Sequence, residues 1–283
     1  MKVRPPATYQ GGKQRLAEEI VAICLATRSK LDAPLDFADL CCGSGAVTIA
    51  ARLAGIPPES IMMVDSGPWG HVWLKVAEGK FSLEALRRIA AAVPKIPEQQ
   101  ADFLRELLKQ SIDVDRAETF LILQAGSFGG AAIDDSAGRW KGTFRNFWRS
   151  PKDPKKWTGT MMPCADEVVR RMEVLCELLL GVVAWRGDFL KVHGESGIIY
   201  VDPPYVGTSG YAGKKTVEID FPTFAARNPK ADVWVSEARA IGSHATMLRC
   251  CTLVARWAGS RGSASGRMKN GSRASSRSRE VGW

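Results

Sequence analysis

The sequence Asp202-Pro203-Pro204-Tyr205 places a carboxylate, a rigid turn and an aromatic ring directly after the apolar run 198–201. Four β-forming residues in a row are typical of a buried strand in a parallel sheet. The two prolines end that strand because they have no N–H to donate to a neighbouring strand. We therefore expect the carboxylate and the ring at the carboxyl end of a strand, where open α/β sheets bind their ligands.

These four residues suit the methylation of an aromatic amine. Such an amine is a poor nucleophile because its lone pair is delocalised into the ring. The Asp202 carboxylate and the backbone carbonyl of Pro203 can each accept one amine hydrogen, which aims the lone pair at an electrophile. Tyr205 can stack on a base that has left its helix. The alternative is a plain turn, since Asp-Pro and Pro-Pro are common turn sequences.

A methyl donor needs a second site, and residues 35–51 are predicted to form a strand, a glycine loop and a helix. The loop contains Asp39, Gly43 and Gly45 but lacks the full Gly-x-Gly-x-x-Gly pattern of dinucleotide binders. S-adenosylmethionine has no diphosphate and carries positive charge, so an acid with two glycines that allow close approach suits it. The pattern predicts S-adenosylmethionine as the cofactor, with a simple turn as the alternative.

Two further segments carry residues that fit the same ligand. Asp65 ends a second predicted strand, 61–65, where an acid can accept both ribose hydroxyls. Gly11 and Gly12 allow a ligand to approach the backbone closely, and an amphipathic helix is predicted to begin at Lys13. Each segment has an ordinary structural alternative, a strand end in the first case and a glycine turn in the second.

Residues 182–189 are predicted as a strand, a glycine turn, an acid and an aromatic. Asp188 could bind the amino edge of an adenine and Phe189 could lie against its ring, although a plain βα turn is the alternative. The loop 207–211 includes Tyr211 and could close over an extruded base. A further strand is predicted at 233–236.

The segment from Trp69 to about residue 181 has a different character. Helical patterns cover 69–79, 81–93, 97–109 and 163–181, and no strand with a crossover is predicted there. We therefore expect a helical insertion within an α/β domain.

Inside this insertion, residues 139–157 contain seven basic and five aromatic side chains in 19 positions, with a single acid. Basic groups neutralise phosphates, and aromatic rings stack on bases or wedge between them. The predicted DNA contacts are Arg139, Trp140, Lys141, Arg145, Arg149, Lys152, Lys155 and Lys156. The alternative is a solvated basic loop whose tryptophans pack on the helices.

Composition describes an ordinary globular chain of 283 residues with 45% hydrophobic and 24% charged residues. The net charge is +9, but residues 256–283 carry +6 of it in an Arg/Ser/Gly-rich stretch that is predicted to be disordered. Charge alone is therefore weak evidence for a nucleic-acid partner.

The seven cysteines include two adjacent pairs and no Cys-x-x-Cys, and the three histidines are scattered. We expect neither disulfides nor a metal site, and a reducing cytoplasm. The amino terminus lacks the apolar stretch of a signal peptide, and the apolar run 174–184 is too short to span a membrane, so no membrane association is expected.

Taken together, these motifs resemble those of the Dam-like DNA adenine-N6 methyltransferases, particularly phage-encoded ones, in order and spacing over about 5–236. Tyr9 to Lys13 resembles the Gly-Gly-Lys donor motif, and 37–45 resembles the acid-plus-glycine loop. Gly187-Asp188-Phe189 and 202–205 are similar to the Gly-Asp-Phe and catalytic motifs. The stretch from Phe120 to Trp140 looks like the opening of the target-recognition segment, and Thr208 and Tyr211 fit the loop after the catalytic motif.

The resemblance implies a Rossmann-like methyltransferase core made of 1–68 and 182–255, with a target-recognition insertion at 69–181 and a tail at 256–283. It implies methyl transfer from S-adenosylmethionine to the N6 amine of an adenine flipped out of duplex DNA. The donor would contact Tyr9, Gly11, Gly12, Lys13, Asp39, Gly43, Gly45, Asp65, Asp188 and Phe189. A monomer in the cytoplasm of a bacterial or phage-infected cell is expected, with protection, regulation or restriction-modification as possible roles.

The sequence departs from this pattern in two places. Residues 128–130, Phe-Gly-Gly, lack the asparagine of the family's Phe-Asn-Gly turn. After Ser236 the expected strands are replaced by a Cys-rich and then Arg/Ser-rich composition, as an out-of-frame end would produce. This predicts an altered carboxyl terminus and a protein that is destabilised or inactive. Two alternatives follow: a same-fold methyltransferase of RNA or protein glutamine, which more often carries Asn in place of Asp202, or a catalytically impaired DNA-binding relative.

Overall fold

A computed structural model of the chain describes residues 3–26, 36–110, 115–135, 139–144, 148–150, 153–158, 161, 163–193, 197–204, 220–237, 246–248 and 253–257. For 148–150, 153–158, 237, 246–248 and 253–257 the description covers the backbone alone.

Within the described residues, helices and strands alternate up to residue 65 and again from residue 183 to residue 237, whereas the segment between these two parts is mostly helical. The helices are α1 (Ala17–Ala26), α2 (Ala46–Leu53), α3 (Pro68–Ala77), α4 (Leu83–Ala92), α5 (Pro97–Lys109), α6 (Arg116–Gly126), α7 (Ala165–Leu178) and α8 (Phe221–Ala226). The strands are β1 (Phe37–Leu40), β2 (Ile61–Asp65), β3 (Trp148–Ser150), β4 (Asp153–Thr158), β5 (Val183–Arg186), β6 (Gly197–Val201), β7 (Ala231–Glu237), β8 (Thr246–Leu248) and β9 (Leu253–Trp257).

Seven strands form one sheet in the order β5-β2-β1-β6-β7-β9-β8. The first five are parallel, whereas β9 runs antiparallel to both β7 and β8. The chain winds outward from β1 through β2 to β5 and then returns to place β6 beside β1. This reversal opens a crevice at the carboxyl ends of β1 and β6. The predicted α/β class is confirmed, and the sheet is compatible with a Rossmann-like fold.

Strand β6 is buried along its whole length and lies between β1 and β7 in parallel register. Its side chains alternate between two apolar clusters: Ile198 and Tyr200 belong to one, Ile199 and Val201 to the other. Burying one such aliphatic side chain contributes roughly 1.5–3 kcal/mol. The prediction of a buried parallel strand at 198–201 is therefore confirmed.

The two faces of the sheet have different cover. The first face packs against α1, α2, α3 and the helices that follow, and its largest buried side chains include Trp69, Trp73 and Phe120. The second face packs mainly against α8 through Phe221 and Phe224. The larger cluster therefore lies on the side that carries the predicted insertion.

Helix α6 is the centre of the segment between β2 and β5. Its residues from Ala117 to Ala125 are all buried, and it contacts α3, α4, α5 and α7. Sequence analysis anticipated the other four helices but not this one, because a helix that is covered on all sides lacks the one-sided apolar pattern that marks an amphipathic helix.

Helix α3 contains Trp69, where the insertion was predicted to begin, and it packs directly against β2 and β5. Gly70 makes this possible, since a Cβ there would lie 2.2 Å from the backbone oxygen of Asp65. The part of the chain that packs directly against the sheet therefore extends beyond residue 68, the predicted end of the first core segment.

Two findings correct the predicted distribution of strands. The insertion was expected to be helical, yet β3 and β4 form an antiparallel hairpin within the basic-aromatic segment. Its prolines and basic residues obscure the alternation that marks a strand. The sheet was expected to stop short after 236, yet β9 and β8 extend it, and β9 reaches two residues into the predicted tail at 256–283.

Across the part of the chain that the structure describes, no helix is both long and apolar enough to cross a membrane.

Candidate functional site

Asp202 lies in the crevice between β1 and β6, one residue beyond the last paired residues of those strands. Its N–H donates to the backbone oxygen of Leu40 over 3.1 Å, which fixes its position at the sheet edge. The Lys13 ammonium nitrogen lies 2.6 Å from Asp202 Oδ1 and 2.5 Å from Oδ2. The two side chains are only 8% and 15% exposed, so this ion pair is largely shielded from water.

Lys13 reaches the carboxylate from the N-terminal strip, defined here as residues 8–13. Its ammonium also donates to the backbone oxygen of Gly11 over 3.0 Å. A tight turn closes the strip, because Gly12 N donates to Tyr9 O over 3.0 Å and a Cβ at Gly12 would lie 3.0 Å from that oxygen. The structure thus brings together the first predicted donor motif and the predicted catalytic acid.

The glycine loop after β1 is packed by aromatic side chains of the protein itself. A Cβ at Gly43, where φ is 48°, would lie 2.7 Å from Tyr9 Cε1. A Cβ at Gly45, where φ is 76°, would lie 2.9 Å from Trp73 Cζ2, and Trp73 Nε1 donates to Gly43 O over 2.7 Å. The glycines were predicted to allow close approach of a ligand. In the structure, Tyr9 fills the space that a side chain at Gly43 would occupy, and Trp73 fills the corresponding space at Gly45.

Asp39 faces the start of α2 and is almost fully buried. Its Oδ2 accepts hydrogen bonds from Thr48 N over 3.0 Å and from Thr48 Oγ1 over 2.7 Å. Loss of solvation on burial raises its pKa to about 7, although the Thr48 hydrogen bonds act in the opposite direction. One oxygen of this predicted donor-binding acid is therefore used to hold α2 against the sheet.

Asp65 ends β2 and connects it to two loops. Its Oδ2 accepts from Gly43 N over 3.0 Å, and its Oδ1 accepts from Gly67 N over 2.7 Å. Burial raises the pKa of Asp65, while the two backbone hydrogen bonds lower it. The carboxylate fixes the glycine loop and leaves further oxygen lone pairs for a polyol such as ribose.

Asp188 and Phe189 follow β5; the first caps a short helix and the second packs in an apolar cluster. Asp188 is exposed, and its Oδ1 accepts from Leu190 N over 3.0 Å at the start of a short 3-10 helix. The ring of Phe189 packs edge-on against Phe224, with centroids 5.8 Å apart. Phe189 therefore contributes to the second apolar cluster.

Three acids lie close together at the strand ends. Burial is the largest cause that raises the pKa of Asp39, and Asp202 and Asp65 raise it further. Burial is also the largest cause that raises the pKa of the Cys41 thiol, and the same three acids add to it, which disfavours the thiolate form. An acid at a strand end that keeps its charge favours a ligand that carries positive charge. Within the described residues no group of His, Cys, Asp or Glu could hold a metal ion.

Trp140, a predicted DNA contact, is only 6% exposed. Its ring stacks on Phe120 with a centroid distance of 6.1 Å, and the Arg116 guanidinium lies 4.3 Å from its ring. This burial favours the alternative in which the tryptophan packs on the helices. Arg139 and Lys141 on either side are exposed and stay available to a polyanion.

Three of the other predicted DNA contacts lie on the β3–β4 hairpin. Arg149 lies on β3, and Lys155 and Lys156 lie on β4, so the hairpin carries at least three of the predicted basic residues. The remaining predicted residues lie outside the described residues: Tyr205, Arg145, Lys152 and Tyr211.

Trp69 and Trp73 were given no role from the sequence, yet they belong to a row of aromatic rings that connects the insertion to the glycine loop. Trp69 packs edge-on against Phe120 at 5.0 Å and against Tyr9 at 5.7 Å, and it stacks on Trp73 at 5.8 Å. Trp140 joins the same row through Phe120. The high tryptophan content of the segment was the available signal, but only packing shows which rings touch.

Two polar residues of the insertion were also missed. Asp135 is largely buried and pairs with Arg116 at 3.1 Å and with Arg186 of β5 at 3.0 Å, which ties the insertion to the sheet. Gln124 is fully buried and contacts the N-terminal strip, with its amide nitrogen 3.1 Å from Thr8 O. Both residues lie within the stretch 120–140 that resembles a target-recognition segment, but that resemblance gives neither side chain a role.

Comparisons with known proteins give no family assignment, since no family model matches the chain and no curated protein is significantly similar to it.

Proposed function

We propose that this protein transfers a methyl group from S-adenosylmethionine to the N6 amine of an adenine in duplex DNA. The observation that carries the proposal is the position of the Asp202 carboxylate in the crevice between β1 and β6. Both of its oxygens accept hydrogen bonds from a nitrogen of the protein itself, the Lys13 ammonium. A target amine would use the same carboxylate as its hydrogen acceptor.

The residues around the crevice fit S-adenosylmethionine. Its amino group and its sulfonium are positively charged, and the crevice is lined by the carboxylates of Asp39, Asp65 and Asp202, whose charges influence one another. Asp65 would bind the ribose, Asp188 the adenine amino edge, and the Tyr9–Gly43 contact would close one side. When bound, S-adenosylmethionine supplies a methyl group on a positively charged sulfur.

Asp202 would orient the target amine together with the backbone carbonyl of Pro203. Each accepts one amine hydrogen, so the nitrogen becomes pyramidal and its lone pair points at the methyl carbon. After transfer the nitrogen releases one proton to water, so no strong general base is required, and the spent donor would leave as S-adenosylhomocysteine. Lys13 would have to leave the Asp202 carboxylate before the amine is seated, because it contacts both oxygens.

The basic segment supports a polyanionic substrate. Arg139 and Lys141 are exposed on one side of it, and the β3–β4 hairpin adds Arg149, Lys155 and Lys156. Basic residues in this arrangement bind phosphates without reading sequence, so binding should weaken as salt rises.

The test is methyl transfer by Asp202→Ala, with duplex DNA free of methylated adenine and isotopically labelled S-adenosylmethionine. We expect loss of N6-methyladenine, measured by nucleoside mass spectrometry, with donor binding by calorimetry largely retained. Asp220→Ala is the matched control, since that aspartate is exposed and caps α8 through Thr223. Methylation at the wild-type rate by Asp202→Ala would refute the assignment.

RNA and a glutamine-containing protein serve as parallel substrates in the same assay. Turnover on either of them, without turnover on DNA, would support the same-fold alternative. Donor binding without turnover on any substrate would support a catalytically impaired relative. The continuation of the sheet through β8 and β9 removes one reason for that second alternative.

A further inference from the structure

Gln124 lies within the stretch 120–140 that resembles the opening of a target-recognition segment, and its buried side-chain amide has five neighbours within hydrogen-bonding distance. Its carbonyl oxygen accepts from Ile133 N over 3.1 Å. Its nitrogen lies 3.1–3.2 Å from four acceptors, which are Thr8 O, Ser127 Oγ, Gly130 O and Ala131 O. The nitrogen carries two hydrogens, so the four acceptors share them. Moving the neighbouring segments away would cost this buried amide part of its hydrogen bonding, which favours one arrangement of those segments.

These neighbours belong to two different segments, the N-terminal strip and the loop 127–133 of the predicted insertion. The segments also touch directly, since Gln10 N donates to Gly130 O over 2.8 Å. Gly130 has a φ of 76°, and a Cβ there would lie 3.0 Å from Thr8 Cγ2 and 3.1 Å from the Thr8 backbone. The absence of a side chain at Gly130 is what allows the strip to lie this close.

The far end of the strip carries Lys13, whose ammonium contacts both Asp202 oxygens. Between the two ends, the Tyr9 ring covers Gly43. A strip of six residues with one end fixed by the insertion and the other at the predicted catalytic acid transmits small displacements, because tightly packed neighbours leave little room for adjustment.

The loop 127–133 is in turn paired with the predicted DNA-facing segment 139–144. Asp134 and Lys141 exchange two backbone hydrogen bonds of 2.7 and 2.8 Å, and Phe128 N donates to Thr143 O over 2.9 Å. A shift of the exposed Lys141 would therefore move the backbone that Gln124 holds.

We propose that Gln124 and Gly130 are positioning residues, which hold the N-terminal strip so that Lys13 meets Asp202 and thereby link the DNA-facing segment to the methyl-transfer site. The first half of this inference concerns the structure alone. The second half, the link to methyl transfer, rests on the proposed function.

Two glycine variants test the first half. Gly130→Ala adds a methyl group against Thr8, whereas Gly129→Ala adds one at a similar φ of 62° with nothing within 4 Å. Both variants bear the strain of a left-handed alanine, so only the contact with Thr8 distinguishes them.

The readout is acylation of lysines by acetic anhydride, followed by peptide mass spectrometry. Lys13 is buried and should react slowly relative to Lys80, whose side chain is 71% exposed. We expect Gly130→Ala to raise the Lys13 rate, normalised to Lys80, by about tenfold through local opening, and Gly129→Ala to leave it unchanged. Equal rates in the two variants would overturn the inference.

Gln124→Met tests the second half, with Glu118→Gln as its control. Glu118 is equally buried on α6, but its partners are Lys75 and Ser82 N, far along the helix from the strip. We expect Gln124→Met to lower kcat on duplex DNA by roughly 10- to 100-fold, because the strip also carries the proposed donor contacts Tyr9, Gly11 and Gly12, which would be misplaced. Glu118→Gln should lower the melting temperature and leave kcat within about twofold of wild type.

The two failures are distinguishable. If the wild-type protein neither binds S-adenosylmethionine nor methylates DNA, the proposed function is wrong, and the Lys13 labelling still decides whether Gln124 and Gly130 position the strip. If the wild type is active and Gln124→Met keeps its kcat, the link to methyl transfer is refuted.

Discussion

The carboxyl ends of β1 and β6 lie side by side, and the chain places an aspartate at each, Asp39 within β1 and Asp202 just after β6. Strand alternation puts both on the sheet face that carries the larger apolar cluster. Asp39 is almost completely buried and is bonded by the neutral donors of Thr48, whereas Asp202 is partly accessible and paired with the Lys13 cation.

The difference shows how partners decide what an acid can do. Burial without a cation raises the pKa of Asp39 to about 7, so near neutral pH this group is partly protonated and serves to anchor α2. The Asp202 carboxylate is paired with an ammonium group and, once the lysine moves, can accept hydrogens from a substrate. The same residue type is thus structural at one strand end and available for chemistry at the next.

Removing the cation should have the largest effect. We expect Lys13→Met to lower the free energy of unfolding by about 3 kcal/mol, because it leaves the Asp202 carboxylate largely buried without its ammonium partner. Urea denaturation measures this loss. Lys80→Met, which breaks an exposed pair with Glu78, should cost less than about 1 kcal/mol.

A double variant sharpens this prediction. Lys13→Met combined with Asp202→Asn should recover most of the lost stability, since no unpaired charge remains. If Lys13→Met and Lys80→Met were equally mild, Asp202 would not depend on its cation, and the contrast with Asp39 would collapse.

The second largest effect is expected in the pH dependence of the free energy of unfolding, through the titration of Asp39. Its folded pKa, about 7, lies above the ordinary value of 3.8, so the folded state binds more protons than the unfolded state between these values. Stability from this group is therefore greatest at low pH and is lost as pH rises towards 7. Between pH 5.5 and 7.5 the wild type should lose about 2 kcal/mol relative to Asp39→Asn.

Urea midpoints measured for both proteins at each pH isolate this effect from other titrating groups. A constant difference between wild type and Asp39→Asn over that range would mean that Asp39 is ionised throughout.

The smallest effect is expected from Thr48→Val. It removes the hydroxyl that donates to Asp39 but keeps the backbone donor, so the free energy of unfolding should fall by about 1 kcal/mol. The lost hydrogen bond should also raise the pKa of Asp39 further and move its pH window upward. Nuclear magnetic resonance titration of the carboxyl carbon checks both the direction and the assignment; an unchanged titration would show that Thr48 does not stabilise the charged form.

Local patterns were sufficient for much of the fold. The apolar run before Asp202 predicted β6 because a strand buried on both faces needs a continuous apolar sequence. One-sided apolar spacing predicted α4, α5 and α7 within a few residues. Helix α6 was not predicted because it is enclosed on every side and so has no one-sided apolar pattern. The β3–β4 hairpin was not predicted because basic residues and prolines mask the alternation of its strands.

The candidate site divides in the same way. The sequence by itself determined where carboxylates and glycines would fall relative to strand ends, because a strand, a turn and a helix are specified by residues close in the chain. Only the tertiary structure decided their partners: Lys13 meets Asp202 across 189 positions, and Gln124 meets Thr8 across 116. Contacts over such separations depend on how whole elements pack, and no local pattern encodes them.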